Sequence, residues 1–143
     1  LTVITNSMKA AIELSNKENI SVISTGGILL EKSLSFAGPL AERSLETYHV
    51  NKTFLSCKGF DVHNGMSDSN EWQALLKKRM IERSDQTILM ADSSKWGNRE
   101  FSHIASLQDV SRLITDSGLD PASVKALEDK KVKVTAVPLS KRG

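Results

Sequence analysis

The feature that most constrains this 143-residue chain is the alternation of short apolar segments with segments of helical periodicity. The apolar segments are rich in β-branched residues and are not strictly alternating, which is typical of strands buried in a parallel sheet: LTVIT, ISVIS, KTFLSC, QTILMA, VSRLIT and VKVTAV. Helices are predicted between them over residues 8–15, 39–48, 68–83 and 121–130. This order predicts an α/β fold, with an open, mostly parallel sheet and helices on both faces.

The helix over residues 68–83 has the strongest signals. Asp68 and Glu71 have the spacing of a capping box, which predicts Asp68 as the capping residue. Four apolar residues then recur at helical spacing and predict a buried stripe: Trp72, Leu75, Leu76 and Met80. The basic run Lys77-Lys78-Arg79 is most simply a solvated face of this helix.

Other segments are less decisive. Residues 28–36 fit either an extended or an irregular segment, and residues 59–67 are predicted to be a polar loop that contains glycine. The strand KTFLSC has Phe54 and Leu55 at its centre, and Cys57 lies at its end. No repeat, linker or low-complexity stretch interrupts the chain, so a single domain over residues 1–143 is expected.

Composition excludes several classes of protein. The formal net charge of +2 is too small to favour a nucleic-acid surface or an anionic membrane. The single cysteine, Cys57, excludes an internal disulfide, and no apolar run approaches the ~20 residues that cross a bilayer. The N-terminus lacks the pattern of a signal peptide. A soluble, cytoplasmic protein that contacts no membrane is therefore expected.

Small and polar residues follow five of the predicted strands, at the ends where ligands bind in open α/β sheets. These residues are Asn6, Thr25-Gly26-Gly27, Lys58-Gly59-Phe60-Asp61, Asp92-Ser93-Ser94-Lys95 and Asp116. Turns at strand ends are rich in such residues even where no ligand binds. Position alone therefore leaves a binding site and an ordinary scaffold as equal alternatives.

The chemistry of two of these segments favours an anion site. Gly26 and Gly27 let backbone N–H groups approach an anion, and Asn6 or Ser7 at a helix start offers further donors. The spacing matches neither the P-loop nor the dinucleotide-binding motif. The alternative interpretation is a simple turn followed by an ordinary helix cap.

Two further segments have both a structural and a binding interpretation. Asp92 can accept hydrogen bonds from sugar hydroxyls and Lys95 can pair with a phosphate, or Asp92 is only a cap and Lys95 is solvated. Glu71 completes a capping box, contacts a ligand, or does both. Cys57 and the three histidines lack ligand spacing and a nearby partner, so no metal site and no nucleophile are predicted: His49, His63 and His103.

Several motifs in order resemble the C-terminal sensor domain of DeoR-family bacterial transcriptional regulators. They are TNS at 5–7, TGG at 25–27, the glycine of KGF, GMSDSNEW, KKRMIERSDQTILMADSSKWG and LITDSGL. The block from Asn70 to Gly97 is the most specific of them. The resemblance covers nearly the whole chain, and it implies a fold similar to that of ribose-phosphate isomerases, glucosamine-phosphate deaminases and CoA transferases.

The resemblance implies a sensor, without a cofactor, that binds a phosphorylated sugar or a sugar-derived effector. The bound state would change DNA binding by an N-terminal winged helix-turn-helix, most simply in a repressor. The positions that match the family's effector pocket are Thr5, Asn6, Gly26, Gly27, Gly59, Asp92 and Lys95, with Glu71 as a weaker candidate. The effector would favour one arrangement of subunits, and a homodimer or homotetramer is expected because two-fold operators are matched by two-fold proteins.

Two departures from the family pattern bear on this expectation. The family's first phosphate loop and strand, and its DNA-binding domain, precede the part that LTVIT matches and are absent from this sequence, so a fragment is expected. Phe60 stands where a small or acidic residue is expected, and it is predicted to narrow the pocket or to change its specificity.

Two rival functions remain open. One is a sugar-phosphate isomerase or deaminase on the same fold, with acid and base drawn from Asp61, Glu71, Asp92 and Lys95, and with His63 near Asp61. The other is a purely structural oligomerisation module. The sensor is preferred because binding without turnover needs only hydrogen bonds.

Overall fold

All six strands predicted from the apolar segments are present in the computed structural model, which describes residues 1–139. The contacts divide the chain into two units, residues 1–48 (unit 1) and residues 49 onward (unit 2). The α/β class and the parallel sheet are confirmed. The single domain over residues 1–143 stays a prediction, and its last four residues lie outside the described part.

Unit 1 contains a parallel strand pair and a hairpin. Its elements are β1 (Thr2–Thr5), α1 (Met8–Ser15), β2 (Ser21–Ser24), β3 (Ile28–Leu30), β4 (Ser35–Ala37) and α2 (Pro39–Ser44). β1 and β2 are parallel, with Thr5 beside Ser24, whereas β3 and β4 are antiparallel. The stretch over residues 28–36 is therefore extended in its first and last thirds. The helix predicted over residues 39–48 is shorter, because it ends at Ser44.

Unit 2 contains a four-stranded parallel sheet. Its elements are β5 (Val50–Leu55), β6 (Gly59–Asp61), β7 (Gly65–Asp68), α3 (Glu71–Glu82), β8 (Ser84–Met90), β9 (Ser102–Ala105), β10 (Arg112–Asp116), α4 (Pro121–Asp129) and β11 (Lys133–Val137). The strand order is β11-β10-β8-β5. All four strands are parallel, so their carboxyl ends lie at one edge of this sheet.

One face of the parallel sheet forms the core of unit 2. Leu55, Leu89 and Leu113 lie side by side in register, and each is at most 4% exposed. Phe54 points to the other face, because neighbours in a strand alternate, and it is 56% exposed. We call the face that carries Leu89 the inner face of the sheet. An apolar residue at the centre of a strand therefore does not have to be buried.

The prediction of a polar loop over residues 59–67 is wrong. β6 and β7 form an antiparallel hairpin, and β9 adds a third strand to it. Phe60 and Met66 are fully buried in the core of unit 2. Phe60 packs edge-on against Trp96, with ring centroids 5.3 Å apart. Strands of three or four residues carry too little periodicity to be distinguished from a loop in the sequence.

The helix predicted over residues 68–83 is confirmed as α3, but its cap is not Asp68. Asn70 is the capping residue, and its side chain accepts a hydrogen bond from the amide of Gln73. Asp68 ends β7 and is only 3% exposed. A buried carboxylate requires a partner, and Lys77 Nζ lies 2.5 Å from Asp68 Oδ2. The capping residue of α3 is therefore two residues later than predicted.

The predicted faces of α3 are also partly wrong. Ala74 and Leu76 are buried, whereas Trp72 and Leu75 are each about 40% exposed. Lys77, predicted to be solvated, has a side chain that is only 16% exposed because it reaches Asp68. The buried face of α3 is therefore rotated away from the face that helical spacing predicts.

Candidate functional site

The first predicted segment of unit 1, Thr5 to Ser7, is held by hydrogen bonds within that unit. Asn6 Nδ2 donates to the carbonyl of Phe36 at 3.0 Å, and Thr5 Oγ1 accepts from the amide of Ser7. Ser7 caps α1 by accepting from the amide of Ala10. The side chains of Thr5 and Asn6 therefore have structural roles, and their part in effector binding stays a prediction.

The second predicted segment of unit 1, Gly26-Gly27, consists of two glycines with different surroundings. Both have positive φ, 61° and 119°. A Cβ on Gly26 would meet nothing within 4 Å, whereas one on Gly27 would lie 2.7 Å from the carbonyl oxygen of Ala37. The amide of Gly26 already donates to Ser24 Oγ at 3.2 Å. Gly27 is therefore required for close packing, and an anion-binding role for either glycine stays a prediction.

In unit 2 the structure brings together two loops at the carboxyl edge of the parallel sheet. The loop after β8 forms a 3-10 turn over Ser93–Lys95, and β10 ends at Asp116. The Asp116 carboxylate joins them, because Oδ2 accepts from the amide of Ser93 and Oδ1 from that of Gly118, each at 2.8 Å. The hydrogen bonds from Ser93 and Gly118 lower the pKa of Asp116. Asp116 is therefore charged at neutral pH and fixes the start of the turn.

Asp92 caps this turn. Asp92 Oδ1 accepts from the amide of Ser94 at 2.9 Å and from the Ser94 hydroxyl. The hydroxyl of Ser94 is the main cause of the lowered pKa of Asp92, and the amide of Ser94 and the charge of Lys95 act in the same direction. Asp92 is exposed, so one carboxylate oxygen can serve the turn while the other faces solvent.

Lys95 is the feature of this turn that packing does not explain. Its side chain is half-buried, and its amide closes the turn by donating to the carbonyl of Asp92 at 3.1 Å. Among residues 1–139, however, the Lys95 ammonium has no hydrogen-bond or ion-pair partner. A lysine ammonium without such a partner can donate charge-assisted hydrogen bonds to an anion.

Gly59 packs against Asn98, which follows this turn. It is buried in β6, and a Cβ there would lie 2.3 Å from the carbonyl oxygen of Asn98. Asn98 in turn donates through Nδ2 to the carbonyl of Ser94 at 3.1 Å. Phe60, predicted to narrow a pocket, accepts from the amide of Gly97 through its carbonyl while its ring stays in the core. Gly59 therefore acts on the turn through backbone packing.

Glu71 is not joined to this turn. It is the first residue of α3 and is exposed, and within the described chain no hydrogen bond or ion pair connects it to Asp92 or Lys95. It also does not serve the capping box, since Gln73 occupies the third helical position. Its role as an effector contact stays a prediction.

The residues weighed for catalysis have structural surroundings. Burial raises the pKa of Asp61, but hydrogen bonds from Asn64 and His63 outweigh it and hold the pKa below its usual value. Burial raises the pKa of the Cys57 thiol to about 11. The prediction that no histidine has a partner is wrong for His49, whose Nε2 lies 2.7 Å from Asp85 Oδ1. None of these groups forms a nucleophile and base pair.

Sequence reasoning missed two residues that shape this edge of unit 2. The sequence pattern marks Asp116 only as the residue after a strand, although its spacing to Gly118 is that of an Asx-turn, which is the available signal. Lys77 is part of a basic run in the sequence, and no local pattern indicates that it pairs with Asp68. Long-range contacts of this kind do not appear in the periodicity of a sequence.

Residues 1–139 contain no group of three or more His, Cys, Asp or Glu side chains placed to hold a metal ion. Within the same part of the chain, no helix is long and apolar enough to span a membrane.

Comparison with known proteins gave a family and several relatives. Residues 1–117 match the family model described as the DeoR C terminal sensor domain. The chain is 38% identical over 131 residues to the HTH-type transcriptional regulator GlpR of Haloferax volcanii, with 92% of this chain and 51% of that protein covered. It is 38% identical over 118 residues to the L-fucose operon activator of Haemophilus influenzae, with 82% and 47% covered.

A third relative is the HTH-type transcriptional repressor GlcR of Bacillus subtilis, 36% identical over 115 residues, with 80% of this chain and 44% of that protein covered. The chain thus spans about half the length of the curated relatives that it matches. These relatives are named as transcriptional regulators and not as enzymes, in agreement with the prediction of a sensor.

Proposed function

The chain belongs to the family of DeoR C-terminal sensor domains, and we propose that it binds the effector of a sugar-responsive transcriptional regulator. The name of the L-fucose operon activator refers to a sugar, which supports a carbohydrate effector. The relatives include both an activator and a repressor, so their names support a role in regulation but do not decide between activation and repression.

We propose a phosphorylated sugar as the effector, and the observation that carries this is Lys95. Lys95 is half-buried as a residue, and its ammonium has no hydrogen-bond or ion-pair partner within residues 1–139, on a turn that Asp116 fixes. A phosphate would supply a partner at hydrogen-bonding distance from the ammonium, and Asp92 would accept hydrogen bonds from sugar hydroxyls. Neither group needs to move far, because the backbone of the turn is already ordered by hydrogen bonds.

In the full-length regulator, effector binding would be coupled to DNA binding. The relatives are about twice as long as this chain, and we propose that DNA is bound by a separate N-terminal winged helix-turn-helix. An effector shifts such an equilibrium only if it binds one conformation more tightly than the other. We further propose a homodimer or homotetramer acting in the cytoplasm, matched to a two-fold operator.

A thermal-shift panel tests the proposal. The probes are ribose 5-phosphate, glucose 6-phosphate, fructose 1-phosphate and glucosamine 6-phosphate, with inorganic phosphate as a reference. A ligand at about 100 times its Kd adds roughly 2.7 kcal/mol to the free energy of unfolding, which raises Tm by several degrees. At least one sugar phosphate should do so, and inorganic phosphate should have a smaller effect.

Two matched variants test whether the sugar phosphate binds at Lys95. Lys95→Ala should reduce the Tm shift by most of its size, because the ammonium that pairs with the phosphate is removed. Lys125→Ala removes an exposed lysine from α4 and should leave the shift as in the wild type. A panel without any shift would contradict the proposed function, whereas equal shifts in both variants would contradict the site.

A further inference from the structure

The helix α3 presents two large apolar side chains to solvent. Trp72 is 41% exposed and Leu75 is 40% exposed, and the two are neighbours on the helix surface because they lie three residues apart. The core of unit 2 instead takes Ala74 and Ile81 from this helix. Packing within unit 2 therefore does not account for the apolar face of α3, and an exposed tryptophan is typical of protein interfaces.

Two charged residues complete this face of α3. Glu71 precedes Leu75 by about one helical turn, and Lys78 follows it by about one turn. At about 100° per residue, these three residues and Trp72 lie within an arc of about 120° around the helix. Both charged side chains are exposed, and neither has a hydrogen-bond or ion-pair partner among residues 1–139. We call Glu71, Trp72, Leu75 and Lys78 the α3 stripe.

The charges of the α3 stripe are arranged so that the stripe complements itself. With a rise of about 1.5 Å per residue, Glu71 lies about 6 Å from Leu75 toward the start of α3, and Lys78 lies about 4.5 Å from it toward the end. Two α3 helices that run antiparallel across a two-fold axis near Leu75 therefore bring each Glu71 next to Lys78 of the other copy. A two-fold contact uses the same patch on both copies, and this patch meets that condition.

The balance of charge on this face favours a second copy over other partners. Arg79 and Glu82 also lie on it, and they neutralise each other, with Arg79 Nη1 3.0 Å from Glu82 Oε2. Glu71 and Lys78 contribute one charge of each sign, so the face is neutral overall. A nucleic acid or an anionic lipid surface is bound by a patch of predominantly positive charge.

We propose that the α3 stripe is a two-fold interface between two copies of this chain, with their α3 helices packed antiparallel. This inference rests on the proposed homodimer or homotetramer, and it assigns residues to the contact. Leu75 packs against the partner's Leu75 at the axis, and Trp72 covers this apolar centre. Each Lys78 ammonium donates to the partner's Glu71 carboxylate, so the ion pair occurs twice in the dimer.

The variant Leu75→Ser tests the apolar centre. Sedimentation equilibrium of the whole chain gives the Kd of the dimer, and far-UV circular dichroism checks that the helices remain folded. Because Leu75 is lost from both sides of the axis, we expect the Kd to rise about 100-fold. Leu40→Ser is the matched control, since Leu40 is 59% exposed but lies on α2 in unit 1. Its Kd should stay within about twofold of the wild-type value.

A charge exchange tests the ion pairs. Glu71→Lys and Lys78→Glu each place like charges opposite one another across the axis, and each should raise the Kd of the dimer about tenfold. The double variant Glu71→Lys/Lys78→Glu restores opposite charges, and its Kd should return to within about threefold of the wild-type value. The double variant contains both substitutions, so its recovery cannot result from their effect on α3 alone.

Two results would overturn the inference while leaving the proposed homo-oligomer intact. One is a dimer whose Kd is unchanged in Leu75→Ser, and the other is a double variant that dissociates as readily as the two single variants. A wild-type chain that is monomeric at all concentrations would contradict both the inference and the proposed homo-oligomer. The proposal of a sugar-phosphate effector does not depend on these results, because the thermal-shift panel tests it separately.

Discussion

The turns after β2 in unit 1 and after β8 in unit 2 look alike in the sequence but differ in the structure. Each follows a parallel strand and is rich in small, polar residues, and each is predicted to contact an anion. In unit 1 the turn is engaged by contacts within that unit, since Gly26 donates to Ser24 Oγ and Gly27 packs against Ala37 of β4. In unit 2 the backbone is equally ordered, yet the Lys95 ammonium has no partner in the described residues.

The difference shows which of the two turns still has a charged group without a partner in the described residues. The glycines and hydroxyls at a strand end can all be engaged in packing and hydrogen bonds within the fold, so their presence does not identify a ligand site. An ammonium without a hydrogen-bond or ion-pair partner in the fold remains able to donate charge-assisted hydrogen bonds to a ligand. We therefore assign more weight to Lys95 than to Gly27.

The largest expected effect concerns Gly27, in the turn after β2. Gly27→Ala places a Cβ 2.7 Å from the backbone oxygen of Ala37 at a φ of 119°, so we expect the free energy of unfolding to fall by about 3 kcal/mol. Gly26→Ala meets no atom and carries only the cost of a left-handed backbone, about 1 kcal/mol. Urea denaturation measures both values. Equal losses in the two variants would show that close packing does not set the role of Gly27.

A smaller effect concerns Asp116, the carboxylate that orders the loop after β8. The folded pKa of Asp116 lies below its ordinary value of 3.8, because Ser93 and Gly118 donate to it. A lowered pKa contributes stability above the unfolded value, and this stability is lost as the pH falls through the folded pKa. Between pH 7 and pH 3, Asp116→Ala should therefore lose less stability than the wild type.

Denaturation curves at several pH values measure this dependence. Asp109→Ala is a suitable control, because Asp109 has no hydrogen-bonding role through its carboxylate in the described residues. The control should follow the wild-type pH dependence. If Asp116→Ala also follows it, then the carboxylate does not hold the loop after β8, and the difference between the two turns needs another explanation.

The parallel strands could be predicted from the sequence because each is a compact β-branched run. The hairpin of β6 and β7 could not, since strands as short as Gly59–Asp61 contain less than two periods of alternation. The helix α3 was predictable as a helix, but its cap moved from Asp68 to Asn70 because β7 extends further than the pattern indicates. Local signals thus identify elements better than their boundaries.

The turn that carries Asp92 and Lys95 could be predicted from the sequence, but the contacts that hold it in place could not. The strand-end rule selects Asp92 and Lys95 correctly as neighbours on one turn. It does not reveal that Asp116 anchors this turn from the next strand, or that Lys77 neutralises Asp68 from α3. Both are contacts between residues at least nine positions apart, and such contacts are set by the packing of whole elements.

The most direct test of the account is the preference of the protein for a sugar phosphate over the matching free sugar. The ratio of the two Kd values is measured by calorimetry for the wild type and for Lys95→Ala. If the Lys95 ammonium binds the phosphate, the preference should fall by about 10-fold to 100-fold in the variant, as for other charge-assisted hydrogen bonds. A preference that stays within about twofold of the wild-type ratio would contradict the assignment of Lys95.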